Sequence, residues 1–275
     1  MTTLLISAGT AFSASSPLHY TLCLDNKYAH TGLCKENFYL YSLQEGVNIE
    51  FGRDTSKNKP PQMTITHGCE ELYGRRSINS YIRYYQRLWE HIKTDYQAVA
   101  DFSNQNACLT EKFMKSIKPN LLKCFNVKVI MIFRDPIRRL WSVCNKGNIR
   151  EFRRWVSGEL EPNAMYSDIY KKYRNVWGEE NVHMIVMEEL WENKTQALSD
   201  FLDFPINTIH ENVYYPERGT KAPHYKYLRD QWISDKHDLD VKTWEYAMSN
   251  MGWVYKDFKD TFGYIPDKWG QWYET

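Results

Sequence analysis

Apolar positions in this chain fall into short unbroken runs and helically spaced stripes, and the two kinds take turns along the sequence. The clearest run is Val127 to Phe133, seven residues interrupted only by Lys128. Its β-branched content and its length predict a strand buried on both faces, as in the middle of a parallel sheet. Asp135 and Pro136 follow, an N-cap residue and a proline suited to the first helical position, so a helix is predicted to start at once. Thr3–Ser7 reads as a first strand, followed by a loop of small residues through Ser16, and Pro17 opens a helix through Leu24 with Ser16 as its cap. Ile78, Tyr81, Ile82, Tyr85, Leu88, Trp89 and Ile92 recur at helical spacing, which predicts a core-facing helix within Arg76–Thr94.

Further runs predict strands at Tyr96–Ala100 and Val182–Met187, and helices at Ala164–Trp177 and Glu188–Phe204. Tyr41–Tyr73, rich in Gly, Pro and polar residues, reads as a long irregular insertion. Alternating strands and helices point to an α/β fold, a mostly parallel central sheet flanked by helices. No internal repeat or linker divides the chain, so residues 1–275 are expected to form one domain with a variable insertion at about 41–75.

Composition narrows the chemistry. A formal net charge of +1 over 275 residues gives no reason to expect a nucleic-acid partner or a polybasic membrane anchor. No apolar run approaches the ~20 residues of a membrane span. The amino terminus lacks the positive segment of a signal peptide. Six scattered cysteines show neither a CxxC pair nor zinc-ligand spacing, so reduced thiols and a cytoplasmic setting are the expectation. His67 and Cys69 stand two apart without a second pair, which reads as a surface turn rather than a metal site.

The central strand also carries candidate chemistry. Arg134 falls at its carboxyl end, where open α/β sheets bind ligands. Ser142 lies one helical turn beyond Arg138 and three residues beyond Arg139, so these groups share a helix face. A guanidinium, a helix start and a hydroxyl make a phosphate clamp; the alternative is a structural Arg134–Asp135 ion pair.

The pattern Arg134, Asp135, Pro136, Arg139, Ser142 resembles the 3'-phosphate motif RDPxxRxxS of the sulfotransferases. These enzymes move a sulfuryl group from 3'-phosphoadenosine 5'-phosphosulfate (PAPS) to an acceptor hydroxyl or amine. The resemblance implies their P-loop-like fold, with Arg134 and Ser142 on the 3'-phosphate. ISAGTAFSASSPLHYTL, from Ile6, is similar to the family's 5'-phosphosulfate loop, which places Ser13, Ser15 and Ser16 on the phosphosulfate. It departs from the family at Phe12, where Lys or Arg is usual, and at Ala14, where Gly is usual. Lys35 is the candidate to supply the missing cation. Lys35-Glu36 with Phe38-Tyr39-Leu40 resembles the segment of carbohydrate and heparan-type members that holds the catalytic base, which makes Glu36 that base. Asp101-Phe102-Ser103 resembles an acceptor-side segment, and Arg218-Gly219-Thr220 resembles a late basic loop that closes on the 3'-phosphate. The resemblance extends to Phe262-Gly263-Tyr264 and implies no metal. A small-molecule or carbohydrate hydroxyl is the implied acceptor. Two rivals remain at this point: a phosphotransferase on a related scaffold, and a nucleotide-binding protein that has lost turnover.

Overall fold

The structure is a computed structural model and describes residues 1–10, 15–32, 35, 37–46, 77–144, 149–158, 166–192, 194–207 and 239–271. Five strands form one parallel sheet: β1 (Thr2–Ser7), β2 (Ala29–His30), β3 (Ala98–Asp101), β4 (Phe125–Phe133) and β5 (Val182–Val186), in the order β2-β3-β1-β4-β5. The central strands are buried on both faces because their alternate side chains enter two different cores. Val127, Val129, Met131 and Phe133 of β4 join Leu4 and Ile6 of β1 on one side. Ile130 and Ile132 join Leu5, Ala98 and Ala100 on the other. The lone interruption, Lys128, lies near the start of β4, where its ammonium donates to the Phe201 carbonyl and sits 5.1 Å from that ring's centre.

The helices among the described residues are α1 (Ser15–Tyr20), α2 (Tyr39–Glu45), α3 (Ile78–Ile92), α4 (Glu111–Leu122), α5 (Pro136–Val143), α6 (Ile149–Val156), α7 (Tyr166–Trp177), α8 (Met187–Trp191), α9 (Gln196–Leu202) and α10 (Val241–Phe262). The predicted α/β architecture is therefore present, and the parallel pairing covers the whole sheet. None of these helices is long and apolar enough to cross a membrane.

Several boundaries differ from the sequence reading. The first helix begins at Ser15, so Ser16 lies inside its first turn rather than ahead of it, and the helix runs on as a π-helical segment, Thr21–Asp25. Tyr41–Glu45 is helical rather than irregular, ending at Gly46 in the left-handed conformation (φ 65°) that glycine adopts without a steric penalty. Residues 47–76 of the insertion lie outside the described residues. The stretch Glu188–Phe204 is two helices, α8 and α9. Between them the Thr195 hydroxyl donates to the Ile206 carbonyl (2.6 Å) and the Lys194 amide to the Glu189 carbonyl (3.0 Å), bonds that a continuous helix would not make.

Strand order fixes where a ligand can enter. From β1 the chain moves toward β3 and β2, whereas from β4 it moves to β5 on the opposite side. Adjacent strands whose continuations diverge leave a crevice at their carboxyl ends. The β1 and β4 ends flank that crevice, and Gly9 lies against β4 there. A Cβ on Gly9 would come within 2.8 Å and 2.9 Å of the Ile132 carbonyl oxygen and amide nitrogen. The missing side chain is what lets the first loop pass over β4 two residues before Arg134.

Candidate active site at the carboxyl edge of the sheet

Because all five strands run the same way, the residues after β1, β2, β3, β4 and β5 emerge along one edge. On the β4 side, Asp135 caps α5 as the sequence predicts: its Oδ1 accepts the Arg138 amide at 2.9 Å, and Pro136 is the first helical residue. The same carboxylate accepts the Tyr255 hydroxyl (3.2 Å and 3.1 Å at its two oxygens) and the Gly270 amide (2.8 Å). Glu188, directly after β5, accepts the Asp135 amide (3.1 Å) and the Trp269 indole (2.9 Å). Sequence reasoning missed Glu188 and Trp269. Neither lies near a motif, and only the meeting of β5's end with the chain's carboxyl-terminal segment brings them here.

Arg134 is 6% exposed, and Arg138 and Arg139 are buried beside it. Burial lowers the Arg134 pKa to about 9, opposed by the carboxylates of Glu188 and Asp135. At neutral pH it keeps its charge. Its carbonyl accepts the Tyr166 hydroxyl at 2.8 Å, and the Tyr166 ring stacks on Phe133 with centroids 4.5 Å apart. Burial pushes the Glu188 carboxyl up, against the pull of the Trp269 hydrogen bond and the Arg134 charge. Arg134 thus stands at the crevice with the Glu188 and Asp135 carboxylates as its electrostatic neighbours. Ser142, on α5, is partly buried, and its hydroxyl donates to the Arg138 carbonyl one turn back (3.1 Å).

On the β1 side, the Lys35 ammonium donates to the Ser15 hydroxyl at 3.0 Å. These residues are twenty positions apart, and the contact puts a cation at the start of the helix that follows the first loop. Beneath them His19 is buried, its Nε2 3.2 Å from the Thr31 hydroxyl and its ring edge-on to Phe102. Burial, then the Lys35 charge and then His30 push His19 well below the ordinary histidine range, so it stays neutral beside the lysine.

The segment after Glu36 is fixed from the end of β3. The Ser103 hydroxyl oxygen accepts two successive backbone amides, Asn37 (3.0 Å) and Phe38 (2.9 Å). The Asn37 side chain donates to the Tyr85 hydroxyl (2.8 Å) and accepts the Tyr39 amide (2.9 Å). Phe38 takes the left-handed conformation (φ 52°) that this bend requires. Asp101 is fully buried and accepts the Ser103 amide and the Tyr81 hydroxyl, each at 2.9 Å. Desolvation raises its pKa, and those hydrogen bonds counter the rise. The Asp101-Phe102-Ser103 segment is thus an anchor for the chain beside Glu36. Asn37 carried no signal in the sequence, since its partners are 48 and 66 residues away.

Ser13, Glu36 and the Arg218-Gly219-Thr220 loop lie outside the described residues, as does the side chain of Ser16. The structure brings together Lys35 and Ser15 on one side of the crevice and sets Arg134 and Ser142 on the other.

Compared with solved structures, the chain matches the sulfotransferase from Alicyclobacillus acidocaldarius over 97% of its own length and 98% of the other's, with a TM-score of 0.59 and 15% identity. The chain has the fold of a solved sulfotransferase. The sulfotransferase domain of the Synechococcus PCC 7002 olefin synthase matches at a TM-score of 0.45 and 13% identity, covering 96% of this chain and 95% of that one. The sulfotransferase domain of the curacin biosynthetic pathway matches at 0.49 and 15%, covering 92% and 98%. No protein-family model and no curated protein sequence matches the chain. In this sulfotransferase fold, the crevice between β1 and β4 is the place where the sequence motifs and the strand order coincide.

Proposed function

We propose that this chain is a PAPS-dependent sulfotransferase that transfers a sulfuryl group to an acceptor hydroxyl, with a carbohydrate as the first acceptor class. The observation that carries the reading is the Lys35–Ser15 contact at 3.0 Å. It supplies a cation at the start of α1, three residues after Phe12 in the sequence, where the family's usual Lys or Arg is missing. The donor set also fits the nucleotide: hydroxyl and ammonium groups at the β1 end suit a phosphosulfate, and a buried guanidinium at the β4 end suits a second phosphate.

In this reading Ser13, Ser15 and Ser16 hold the phosphosulfate, and Arg134, Ser142, Arg218, Gly219 and Thr220 hold the 3'-phosphate. Glu36 takes the proton of the acceptor hydroxyl as its oxygen attacks sulfur. The bond from sulfur to the 5'-phosphate oxygen breaks, and adenosine 3',5'-bisphosphate leaves. Lys35 stabilises the charge that develops on that oxygen, a role worth several kcal/mol when the cation is preorganised (~3 kcal/mol for one donor). Ser103 and Asn37 hold the chain next to Glu36, so the base is positioned from the end of β3. The reaction needs no metal, no membrane and no nucleic acid, and suits a reducing cytoplasmic setting.

The test is transfer of labelled sulfate from PAPS to a panel of sugars and phenols. Glu36→Gln is expected to retain nucleotide binding and lose transfer; full residual activity would place the base elsewhere. Arg134→Ala is expected to lose stabilisation by adenosine 3',5'-bisphosphate; unchanged binding would remove the clamp. A wild-type protein that binds this nucleotide but transfers nothing would be the non-catalytic nucleotide binder, and one that prefers ATP would be the phosphotransferase.

A further inference from the structure

Helix α6 buries Phe152 and Val156, with Phe152 edge-on to Trp141 of α5, and turns Arg150, Arg153, Arg154 and Ser157 outward. It packs against both α5 and α10. Between its outer face and α10 lies a groove of about 420 Å³ lined by Ile149, Arg150, Arg153, Arg154, Ser157 and Tyr246. Among the described residues that line it there is no carboxylate. The groove is shallow and open to solvent, with room for a small ligand that stays partly exposed.

The arginines are not explained by helix stability alone. Arg153 and Arg154 sit in the last turn of α6, where the helix dipole favours cations. Arg150 sits in the first turn, where the dipole disfavours one. It is three residues from Arg153, a spacing that puts both guanidiniums on one face, close enough to grip a single tetrahedral oxyanion. Tyr246 forms the opposite wall. The Arg153 guanidinium lies over its ring, 5.4 Å from the ring centre, a cation–π contact. Trp253, 52% exposed, follows two turns on along the same stripe of α10, about 10 Å away along the axis.

We propose that this groove is a binding site for a small sugar ester. Its sulfate or phosphate group is held by Arg150 and Arg153, and its ring lies beside Tyr246, next to the guanidinium of Arg153 that sits over that aromatic ring. Two guanidiniums select the oxyanion, and an amphipathic aromatic wall selects a sugar face over a bare ion. The groove shares no lining residue with the β1/β4 crevice, and binding here does not require sulfuryl transfer.

Calorimetric titration of the full chain with glucose 6-sulfate and glucose 6-phosphate tests it, beside glucose, inorganic sulfate and a short single-stranded oligonucleotide. At least one ester is expected to bind about tenfold more tightly than inorganic sulfate, with no binding of glucose. The ester that binds identifies the oxyanion. R150A/R153A is expected to weaken that ester about tenfold or more, and R150K/R153K, which keeps charge without the planar fork, by a smaller factor. Y246F is expected to retain most of the binding, and Y246A to lose it down to the level of inorganic sulfate. Unchanged binding in R150A/R153A overturns the proposal. So does inorganic sulfate that binds as well as both esters, or an oligonucleotide that binds more tightly than either.

Discussion

The two banks of the crevice are held by different physics. On the β4 bank, charged and buried groups interlock: Asp135 takes hydrogen bonds from α5, from Tyr255 and from Gly270, and Glu188 ties the same turn to Trp269. On the bank formed after β2 and β3, hydroxyl and amide groups do most of the fastening, with Ser103 and Asn37 at the centre and a single buried carboxylate, Asp101, behind them. Buried charges penalise the loss of any one partner severely, because the rest remain desolvated. Neutral networks lose less when a member is removed. The difference suits the proposed division of labour, a rigid phosphate clamp on one bank and a short segment carrying lysine and glutamate on the other.

The largest effect should come from breaking the charged bank. Asp135→Ala removes the α5 cap and strands the Tyr255 hydroxyl and Gly270 amide. A loss of about 3–5 kcal/mol in urea unfolding is expected. A loss below about 1 kcal/mol would show that the bank is not held by charge. The pH dependence comes next and falls on the other bank. Burial lowers the His30 pKa to about 4, and its Nδ1 accepts the Gly32 amide at 2.8 Å. The unfolded histidine titrates near 6.5. The folded state is the poorer proton binder, so stability is full above about 6.5 and declines as pH falls from there toward 4, by up to about 3 kcal/mol. Melting temperature measured from pH 7.5 to 4.5 should show this fall, and His30→Gln should make it shallower, leaving the part due to the buried His19 and His183; an equal slope in the variant would assign the fall to those groups alone.

Ser103→Ala should have a smaller effect on stability, about 1–3 kcal/mol, since two backbone amides lose their acceptor. Its consequence for transfer should be sharper. The turnover rate should drop while KM for PAPS changes little, because the variant loosens the chain beside Glu36 and leaves the clamp alone. Equal losses in both would make Ser103 a stability residue only.

The turn from β4 into α5 was legible because its signals are local. An apolar run, a capping aspartate and a proline within twelve residues specify strand, turn and helix start without reference to the rest of the fold. The other bank was only half legible. Lys35 could be nominated from the departure at Phe12, but its contact with Ser15 depends on how β2 and α1 pack. Ser103 had a weak motif and Asn37 had none; on the β4 bank, Glu188 and Trp269 had none either. Their roles arise from parallel strands that deliver distant residues to one edge. The break between α8 and α9 was missed for a related reason: Thr195 and Lys194 use hydrogen bonds to carbonyls whose positions the periodicity cannot report.

The account rests on a crevice that recognises a nucleotide carrying both a 5'- and a 3'-phosphate. Thermal denaturation of the wild-type chain with saturating adenosine 3',5'-bisphosphate, set beside ADP at the same concentration, tests this directly. Ligand at about a hundred times its Kd adds roughly 2.7 kcal/mol, enough for a rise of about 5 °C or more. That rise with the bisphosphate and little with ADP is the predicted result; equal shifts, or none, would contradict it.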